Sequence, residues 1–383
     1  MPIRFLLQGR VITPLRELVV ATVLVEGQHI AWVKRGKVDV PGSTLLTEVG
    51  DTVTPGFIDL QVNGLAGHDA ASGADAIAAI SSGLPRYGVT SFLPTLISRP
   101  IDEAVAFVSA CAAATASGAR VIGAHVEGPF LNPKYRGAHD PKCLLLPTRA
   151  HVQGLLTRPP RMVTLAPELP GALEAVGTLT AAGVTVSAGH SGASFAEAEA
   201  GFVAGVRFGT HLFNAMVPLH HREPGLPGAL LAEQLVTVGL IADGIHVHPA
   251  MLALAVRMAG PGRVALTSDS TAAAGAPAGR YAIAGRETFS DGISVRLADG
   301  TLAGSAVTMN RMVQLMSSLP GLTLRDAVEM ATLTPARVLG IEGECGVIRR
   351  DARADLVVLD PEQRVRLTLI GGQVVDRRGG LDA

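Results

Sequence analysis

The chain has 383 residues, of which 48% are hydrophobic and 17% are charged, and its formal net charge is −1. This composition supports a large folded core and excludes a disordered chain. The near-neutral charge gives no electrostatic reason to expect binding to nucleic acid or to a membrane surface.

The cysteines and the N-terminal segment predict the compartment. Cys111, Cys143 and Cys345 lie far apart without a CxxC pair, which indicates free thiols in a reducing cytoplasm. The first residues, MPIRFLLQGR, lack the apolar core of a signal peptide. The alanine-rich stretch at 104–116 is shorter than a membrane span. We therefore expect a cytoplasmic protein with no membrane contact.

Both ends of the chain have the pattern of β-strands. Up to about Thr54, short valine-rich runs alternate with turns, which predicts antiparallel strands. The same pattern of short valine-rich runs and turns returns after Gly346 in ADLVVLD, RVRLTLIGG and QVVDRRGG. We predict a small β-sandwich domain formed by residues 1–54 and 344–383, with a large domain inserted at residues 55–343.

Between the two ends, apolar strands alternate with alanine-rich helices. The candidate strands begin at Gly56, Thr90, Val121, Met162, Val184, Arg207, Val236 and Arg263. Eight strand–helix units predict an α/β protein with a (β/α)8 TIM barrel, whose active site lies at the carboxyl ends of the strands. The alternative is an open doubly wound sheet, but the GxGxxG expected after its first strand is missing.

Four predicted strands end in polar residues, namely Glu127 of HVEGPF, His190, His211 and Asp269. Whole strand–helix units separate them, so they meet only if the strands lie side by side. Carboxylate and imidazole groups suit zinc or a similar divalent ion. One such histidine would more often be structural, but four residues at matched strand ends favour a metal site. For His125, ligation and a hydrogen-bonded position inside the barrel are equally open.

A divalent ion held by Glu127, His190 and His211 would leave a position for water and lower the pKa of that water to about 7. Asp269 would take the proton and hand it to a leaving group. The pattern therefore predicts metal-assisted hydrolysis of an amide or ester.

The first strand indicates how many ions the site holds. Many hydrolases on this fold carry His-x-His there, whereas this chain has Gln61 and Asn63, which are poor zinc ligands. Strand four ends in Pro167 and Glu168, without a lysine for carbamylation. We expect a single ion per subunit, Zn²⁺ in the first place, with Fe²⁺, Mn²⁺ and Co²⁺ as alternatives.

The motifs TPGFIDLQVNG, HVEGPFLNPKYRGAH, SAGHS, THLFNAM, REPGLPG, ADGIHV, TSDS and LAGSAVTMNRM occur in this order over nearly the whole chain. Together they resemble the N-acetylglucosamine-6-phosphate deacetylase family of the amidohydrolase superfamily. The resemblance implies a homodimer that hydrolyses the acetamide of N-acetylglucosamine 6-phosphate to glucosamine 6-phosphate and acetate, in amino-sugar catabolism and cell-wall recycling. Alternatives are N-acetylgalactosamine 6-phosphate or another N-acyl compound as substrate. A non-catalytic scaffold is disfavoured because the ligand set is complete.

The resemblance also implies roles for single residues. Glu127, His190 and His211 become the metal ligands. Asp269 becomes the catalytic acid and base, and His139 polarises the acetyl carbonyl. The residues implied to bind the sugar phosphate are Ala138, Asn214, Ala215, Arg222, His246, Leu302, Ala303 and Gly304.

The same resemblance bears on the number of metal ions and on a second subunit. Gln61 and Asn63 resemble the single-metal subgroup of the family. Arg222 is implied to reach the substrate of the neighbouring subunit. From the residues alone, a phosphate contact and a solvated loop position are equally open for this arginine.

Overall fold

The computed structural model describes residues 4–378. Residues 1–3 and 379–383, which the predicted small domain includes, lie outside the described part. The chain forms a barrel of parallel strands surrounded by helices and a mixed sheet built from both ends. The predicted (β/α)8 fold is confirmed.

The N-terminal part forms five strands of one sheet. They are β1 (Arg4–Ile12), β2 (Glu17–Glu26), β3 (His29–Arg35), β4 (Thr44–Leu45) and β5 (Thr52–Pro55). The first three strands pair antiparallel, as the sequence predicts. β4 and β5 instead lie parallel to β1, because the long segment after β3 crosses back to the far edge of β1 before they begin.

The middle of the chain supplies the barrel and a small hairpin. Its strands are β6 (Phe57–Val62), β7 (Gly64–Leu65), β8 (His68–Asp69), β9 (Val89–Ile97), β10 (Arg120–Val121), β11 (His125–Glu127), β12 (Met162–Leu165), β13 (Thr185–Ala188), β14 (Phe208–Gly209), β15 (Thr237–Leu240) and β16 (Val264–Leu266). β7 and β8 form the hairpin, and β10 leads into β11 beside β9. The eight barrel strands pair in parallel, in the order β6, β9, β11, β12, β13, β14, β15, β16.

The barrel strands are apolar because both of their faces are covered. All nine residues of β9 are buried, with the barrel interior on one side and helices on the other. Two contacts join the segment after the last strand to the first strand: Val62 forms a parallel bridge with Ser270, and Ser268 N donates to the side-chain Oδ1 of Asp59 at 3.1 Å. The carboxyl ends of the strands therefore surround one mouth.

Helices follow most barrel strands. They are α1 (Ala74–Gly83), α2 (Ile101–Ala113), α3 (Arg149–Leu155), α4 (Ala172–Ala181), α5 (Phe195–Ala204), α6 (Gly225–Ala232), α7 (Pro249–Ala259), α8 (Met309–Ser318), α9 (Leu324–Ala331) and α10 (Leu333–Val338). The start of α5 is fixed by a capping box, in which Ser194 and Glu197 bond each other's backbone N–H groups. Within residues 4–378 no helix combines the length and the apolar character that a membrane crossing requires.

A four-stranded antiparallel sheet lies between β16 and α8. It consists of β17 (Gly279–Ile283), β18 (Arg286–Ser290), β19 (Ser294–Arg296) and β20 (Leu302–Ser305). The sequence pattern did not predict this insert. Its strands are short and mix buried residues with half-buried and exposed ones, so they lack the apolar runs that mark the barrel strands.

The C-terminal strands complete the terminal sheet. They are β21 (Leu356–Leu359), β22 (Val365–Ile370) and β23 (Gln373–Arg377). β21 pairs antiparallel with β5, so both ends of the chain share one eight-stranded mixed sheet. Arg366 of β22 forms ion pairs with Glu48 and Asp51 and so ties the two ends together.

Candidate active site

Three buried side chains, from the carboxyl ends of three barrel strands, converge at the barrel mouth. Glu127 ends β11, whereas His190 and His211 follow β13 and β14. Their Nε2 atoms lie 3.1 and 3.0 Å from Glu127 Oε1, and 3.1 Å from each other. The sequence prediction that these residues meet agrees with the geometry.

The backbone turns sharply at the polar residues that follow the strands. His190, His211 and Asp269 have φ angles of +50°, +32° and +46°. Such left-handed conformations are uncommon outside glycine and concentrate at functional sites. β13 ends at Ala188 and β16 at Leu266, before the predicted ends at His190 and Asp269. A left-handed residue cannot continue a strand, so neither His190 nor Asp269 could be part of one.

The three side chains fit a divalent cation. Tyr135 O lies 2.9 Å from His190 Nδ1, and because a carbonyl only accepts, Nδ1 carries the proton and Nε2 presents its lone pair to the cluster. The candidate ligand atoms of Glu127, His190 and His211 all lie within 4.8 Å of one another. One carboxylate and two imidazoles form a usual donor set for a catalytic ion with open positions.

The ionisation of Glu127 suits this role. Burial raises the pKa of its carboxyl, but the contacts with His190 and His211 outweigh burial and hold the pKa well below its ordinary value. The carboxylate is therefore charged at neutral pH, which is the form that binds a cation.

Asp269 lies beside the cluster and is held by two amides of the first strand. Its Oδ1 accepts from Asn63 Nδ2 at 2.7 Å and from Gln61 Nε2 at 3.1 Å. Gln61 Nε2 also donates to Glu127 Oε1 at 3.0 Å. Burial, followed by the charge of Glu127, raises the pKa of Asp269 to about 8, and a cation bound nearby would lower it. Its carboxyl can thus accept and return a proton near neutrality.

His139 faces the same site with a defined tautomer. Its Nδ1 accepts from Ser98 N at 3.0 Å, so Nε2 carries the hydrogen and lies 3.7 Å from Glu127 Oε2. Burial, and then the neighbouring His190, hold the pKa of His139 well below its ordinary value. The ring is therefore neutral and offers one hydrogen-bond donor to a substrate oxygen.

His125 lies inside the barrel, below the cluster. Its Nδ1 is 3.0 Å from Leu60 O and its Nε2 is 2.8 Å from Thr164 Oγ1, so both ring nitrogens are engaged. Burial lowers its pKa to about 4. Of the two interpretations that the sequence left open, the geometry supports the hydrogen-bonded interior position.

The cluster of Glu127, His190 and His211, together with Asp269 and His139, faces a cavity of about 330 Å³ at the barrel mouth. It brings together most of the predicted site residues: Glu127, Ala138, His139, His190, His211, Asn214, Ala215, His246, Asp269, Leu302 and Gly304. The remaining four do not line it. Gln61 and Asn63 are buried behind Asp269, Ala303 is fully buried, and Arg222 lies exposed in a loop with Nη1 2.9 Å from His221 Nε2.

Further lining residues were not assigned to the site from the sequence. They are Ile97, Lys134, Tyr135, Gly137, Ile241, Ile283 and Thr301. An isoleucine at a strand end has the same pattern as a core residue, and Ile283 and Thr301 belong to the region of the insert. Asp243 was also missed: its Oδ2 lies 2.6 Å from His246 Nδ1, and the spacing of the two residues in ADGIHV would have indicated the pair.

Comparisons with known proteins define the class. The model of the amidohydrolase family matches residues 52–375. The N-acetylglucosamine-6-phosphate deacetylase of Danio rerio is 38% identical, with 91% of this chain and 92% of that protein covered. An N-acetylgalactosamine-6-phosphate deacetylase from Escherichia coli O157:H7 is 38% identical, with 85% and 88% covered.

A solved structure extends the match to the whole fold. The crystal structure of N-acetyl-D-glucosamine-6-phosphate deacetylase from Mycobacterium smegmatis superposes with a TM-score of 0.92, at 33% identity, and covers 97% of this chain and 100% of that one. The chain belongs to the amidohydrolase family and, within it, to the N-acetylglucosamine-6-phosphate deacetylases. The resemblance inferred from the motifs is confirmed.

Proposed function

We propose that the chain hydrolyses the acetamide of N-acetylglucosamine 6-phosphate to glucosamine 6-phosphate and acetate. The observation that carries the proposal is the convergence of Glu127, His190 and His211 beside Asp269 and His139 in one cavity. The relatives are N-acetylglucosamine-6-phosphate deacetylases, which supports the substrate class.

Glu127, His190 and His211 would hold one divalent ion per subunit, Zn²⁺ in the first place, with Fe²⁺, Mn²⁺ and Co²⁺ as alternatives. When bound, such an ion supplies Lewis acidity, which acidifies water and polarises a carbonyl oxygen. Glu127 contributes the negative charge that partly neutralises the ion.

The protein's own groups move the protons. Asp269 accepts a proton from the attacking water and delivers it to the leaving nitrogen, which departs as an amine. Gln61 and Asn63 fix the orientation of its carboxylate through Oδ1. His139 donates from Nε2 to the acetyl oxygen as negative charge develops there.

We expect Asn214, Ala215 and His246, which line the cavity, to contact the phosphate. Arg222 is exposed and lies outside the cavity of its own chain. We therefore assign its guanidinium, whose planar fork matches phosphate oxygens, to the substrate of a second subunit in a cytoplasmic homodimer.

Acetate release tests the substrate assignment. The zinc-loaded protein is assayed with N-acetylglucosamine 6-phosphate, N-acetylgalactosamine 6-phosphate and the two sugars without phosphate. We expect the highest kcat/KM for the first compound. Removal of the phosphate should lower it on the order of 100-fold, since charge-assisted hydrogen bonds are lost. Equal turnover without phosphate would contradict the role of Arg222.

A second candidate is the deacetylation of N-acetylgalactosamine 6-phosphate, because the N-acetylgalactosamine-6-phosphate deacetylase from Escherichia coli O157:H7 is 38% identical to this chain. A higher kcat/KM for this epimer would establish it in place of the first. No acetate from either phosphorylated sugar would contradict both.

A further inference from the structure

Glu168 joins the loops that follow two neighbouring barrel strands. It lies shortly after β12, and its Oε1 accepts from Asn132 Nδ2 at 2.9 Å and from Gly192 N at 2.6 Å. Its Oε2 accepts from Ser191 Oγ at 2.7 Å. Asn132 belongs to the loop after β11, and the other two residues to the loop after β13. One carboxylate therefore fastens both loops to the strand between them.

The hydrogen bonds continue from Asn132 into a tight turn. Asn132 Oδ1 accepts from Lys134 N, and Asn132 O accepts from Tyr135 N, both at 2.9 Å. Asn132 N donates to His190 O at 3.0 Å. The turn at 132–135 thus has a defined shape and a defined position against His190.

This turn ends at the group that orients a metal ligand. Tyr135 O accepts from His190 Nδ1 at 2.9 Å, which leaves the Nε2 lone pair 3.1 Å from Glu127 Oε1. The two loops pack without free space, because a Cβ at Gly192 would lie 2.5 Å from Tyr135 Cε2. A shift of the turn would therefore move the carbonyl that sets the ring orientation of His190.

We propose that Glu168 is a positioning residue for the metal centre: it holds the turn at 132–135 so that Tyr135 O fixes the orientation and tautomer of His190. The inference rests on the proposed function, because it takes His190 as a ligand. It adds a residue that contacts neither substrate nor ion. Mutation of the hydrogen-bond partners of ligating histidines commonly lowers metal affinity by about 10-fold to 100-fold.

The test measures Zn²⁺ affinity directly. Metal-free protein is titrated with Zn²⁺ against a chromophoric chelator, and the visible absorption of the Co²⁺-loaded protein reports ligand geometry. We expect Glu168→Ala to bind Zn²⁺ about 10-fold to 100-fold more weakly and to change the Co²⁺ spectrum. Glu168→Gln should stay close to wild type, since its amide oxygen can still accept two of the three bonds. Excess Zn²⁺ should restore most of kcat to Glu168→Ala.

Glu197→Ala is the matched control. This carboxylate also accepts from a backbone N–H and a serine hydroxyl, both of Ser194, in the loop after β13, but it has no link to His190. Its Zn²⁺ affinity should equal that of wild type. Asn132→Ala removes the hydrogen bond between Glu168 and the loop after β11. It should therefore weaken Zn²⁺ binding, as Glu168→Ala does. Combined with Glu168→Ala it should add little further loss.

The outcomes separate the two proposals. If wild type and Glu197→Ala bind Zn²⁺ at one site while Glu168→Ala and Asn132→Ala stay within about twofold of them, Glu168 has no positioning role and the metal centre stands. If Glu168→Ala does not fold, Asn132→Ala decides on the same criterion. If wild type itself binds no stoichiometric Zn²⁺, the proposed function is wrong, and the positioning role of Glu168 is wrong as well.

Discussion

The reactive groups of the site depend on neighbours that leave each of them one orientation. Asp269 is held through Oδ1 by Gln61 and Asn63, and His139 is held through Nδ1 by the backbone of Ser98. Each contact engages one polar atom and directs the rest of the group to the cavity. The proposed chemistry therefore depends on hydrogen bonds from neighbouring groups that take no part in it.

Replacing Asp269 by Asn tests the proton-transfer role. The side chain keeps its size but loses the ability to accept a proton, so we expect kcat to fall by about 10²-fold to 10⁴-fold. Zinc content and the affinity for glucosamine 6-phosphate should stay near wild type, as measured by elemental analysis and calorimetry. Asp291→Asn in the exposed insert is the control. Near-normal kcat in Asp269→Asn would show that another group carries the proton.

Replacing His190 or His211 by Ala tests the ligand set. Each change removes one of three protein donors, so we expect loss of bound Zn²⁺ together with loss of activity. Metal content after gel filtration is the measurement, and His151→Ala, which removes a histidine on α3, is the control. Stoichiometric zinc in either variant would mean that the ligands were assigned wrongly.

The cluster of Glu127, His190 and His211, the proposed ligands, was predictable because each of these residues ends or closely follows an apolar strand. His139 was assigned only through the family resemblance, since it stands in a loop whose fold no periodicity predicts. Ser98 and Tyr135 gave no usable signal, and the position of Glu168 at a predicted strand end did not indicate its hydrogen bonds. Their roles come from backbone atoms or from contacts across loops, which residue types alone do not encode.

At the level of elements, contacts between the first barrel strand and the segment after the last one fix the position of Asp269. Asp59 of β6 is fully buried, and its Oδ1 accepts from Ser268 N at 3.1 Å and from Gln61 N at 3.2 Å. It therefore joins the end of β16 to β6 directly below the site. Burial raises the pKa of this carboxyl to about 6, while the hydrogen bonds from Ser268 lower it only in part.

The raised pKa predicts a pH dependence of stability. Between 3.8, the ordinary pKa, and about 6, the unfolded chain has lost a proton that the folded protein keeps. The Asp59 contribution to the free energy of unfolding therefore falls by about 3 kcal/mol as pH rises through this window and is constant above it. Asp59→Asn should lack this fall. Urea unfolding of both metal-free proteins from pH 4 to pH 7 measures the difference, and parallel profiles would refute the assignment.

The barrel was predictable because parallel strands buried on both faces leave long apolar runs, as β9 does. The insert of β17 to β20 was not, because its short, partly buried strands carry no such run. The parallel pairing of β4 and β5 depends on where a long connection crosses, which local patterns do not show. The domain boundaries at residues 55 and 344 stay a prediction.

At the level of the whole molecule, the cavity of one chain does not contain every residue that the proposed reaction requires. Asn214, Ala215 and His246 line it, whereas Arg222 is exposed on a loop outside it. A dimer would place a cation on the phosphate from the second subunit. The sequence predicts this arrangement only through the family resemblance, since the spacing of residues within one chain contains no information about a second.

Mixing two inactive variants tests this arrangement. Arg222→Ala and Asp269→Asn are assayed separately and after subunit exchange. If Arg222 acts on the neighbouring subunit's substrate, a heterodimer has one site with both residues intact. A random mixture should then recover about one quarter of wild-type activity, because half of the dimers are mixed and each has one complete site. Mixing Asp269→Asn with His190→Ala, whose lesions both lie within their own sites, should recover none. If the first mixture shows only the sum of its separate variants, Arg222 acts within its own chain or not at all.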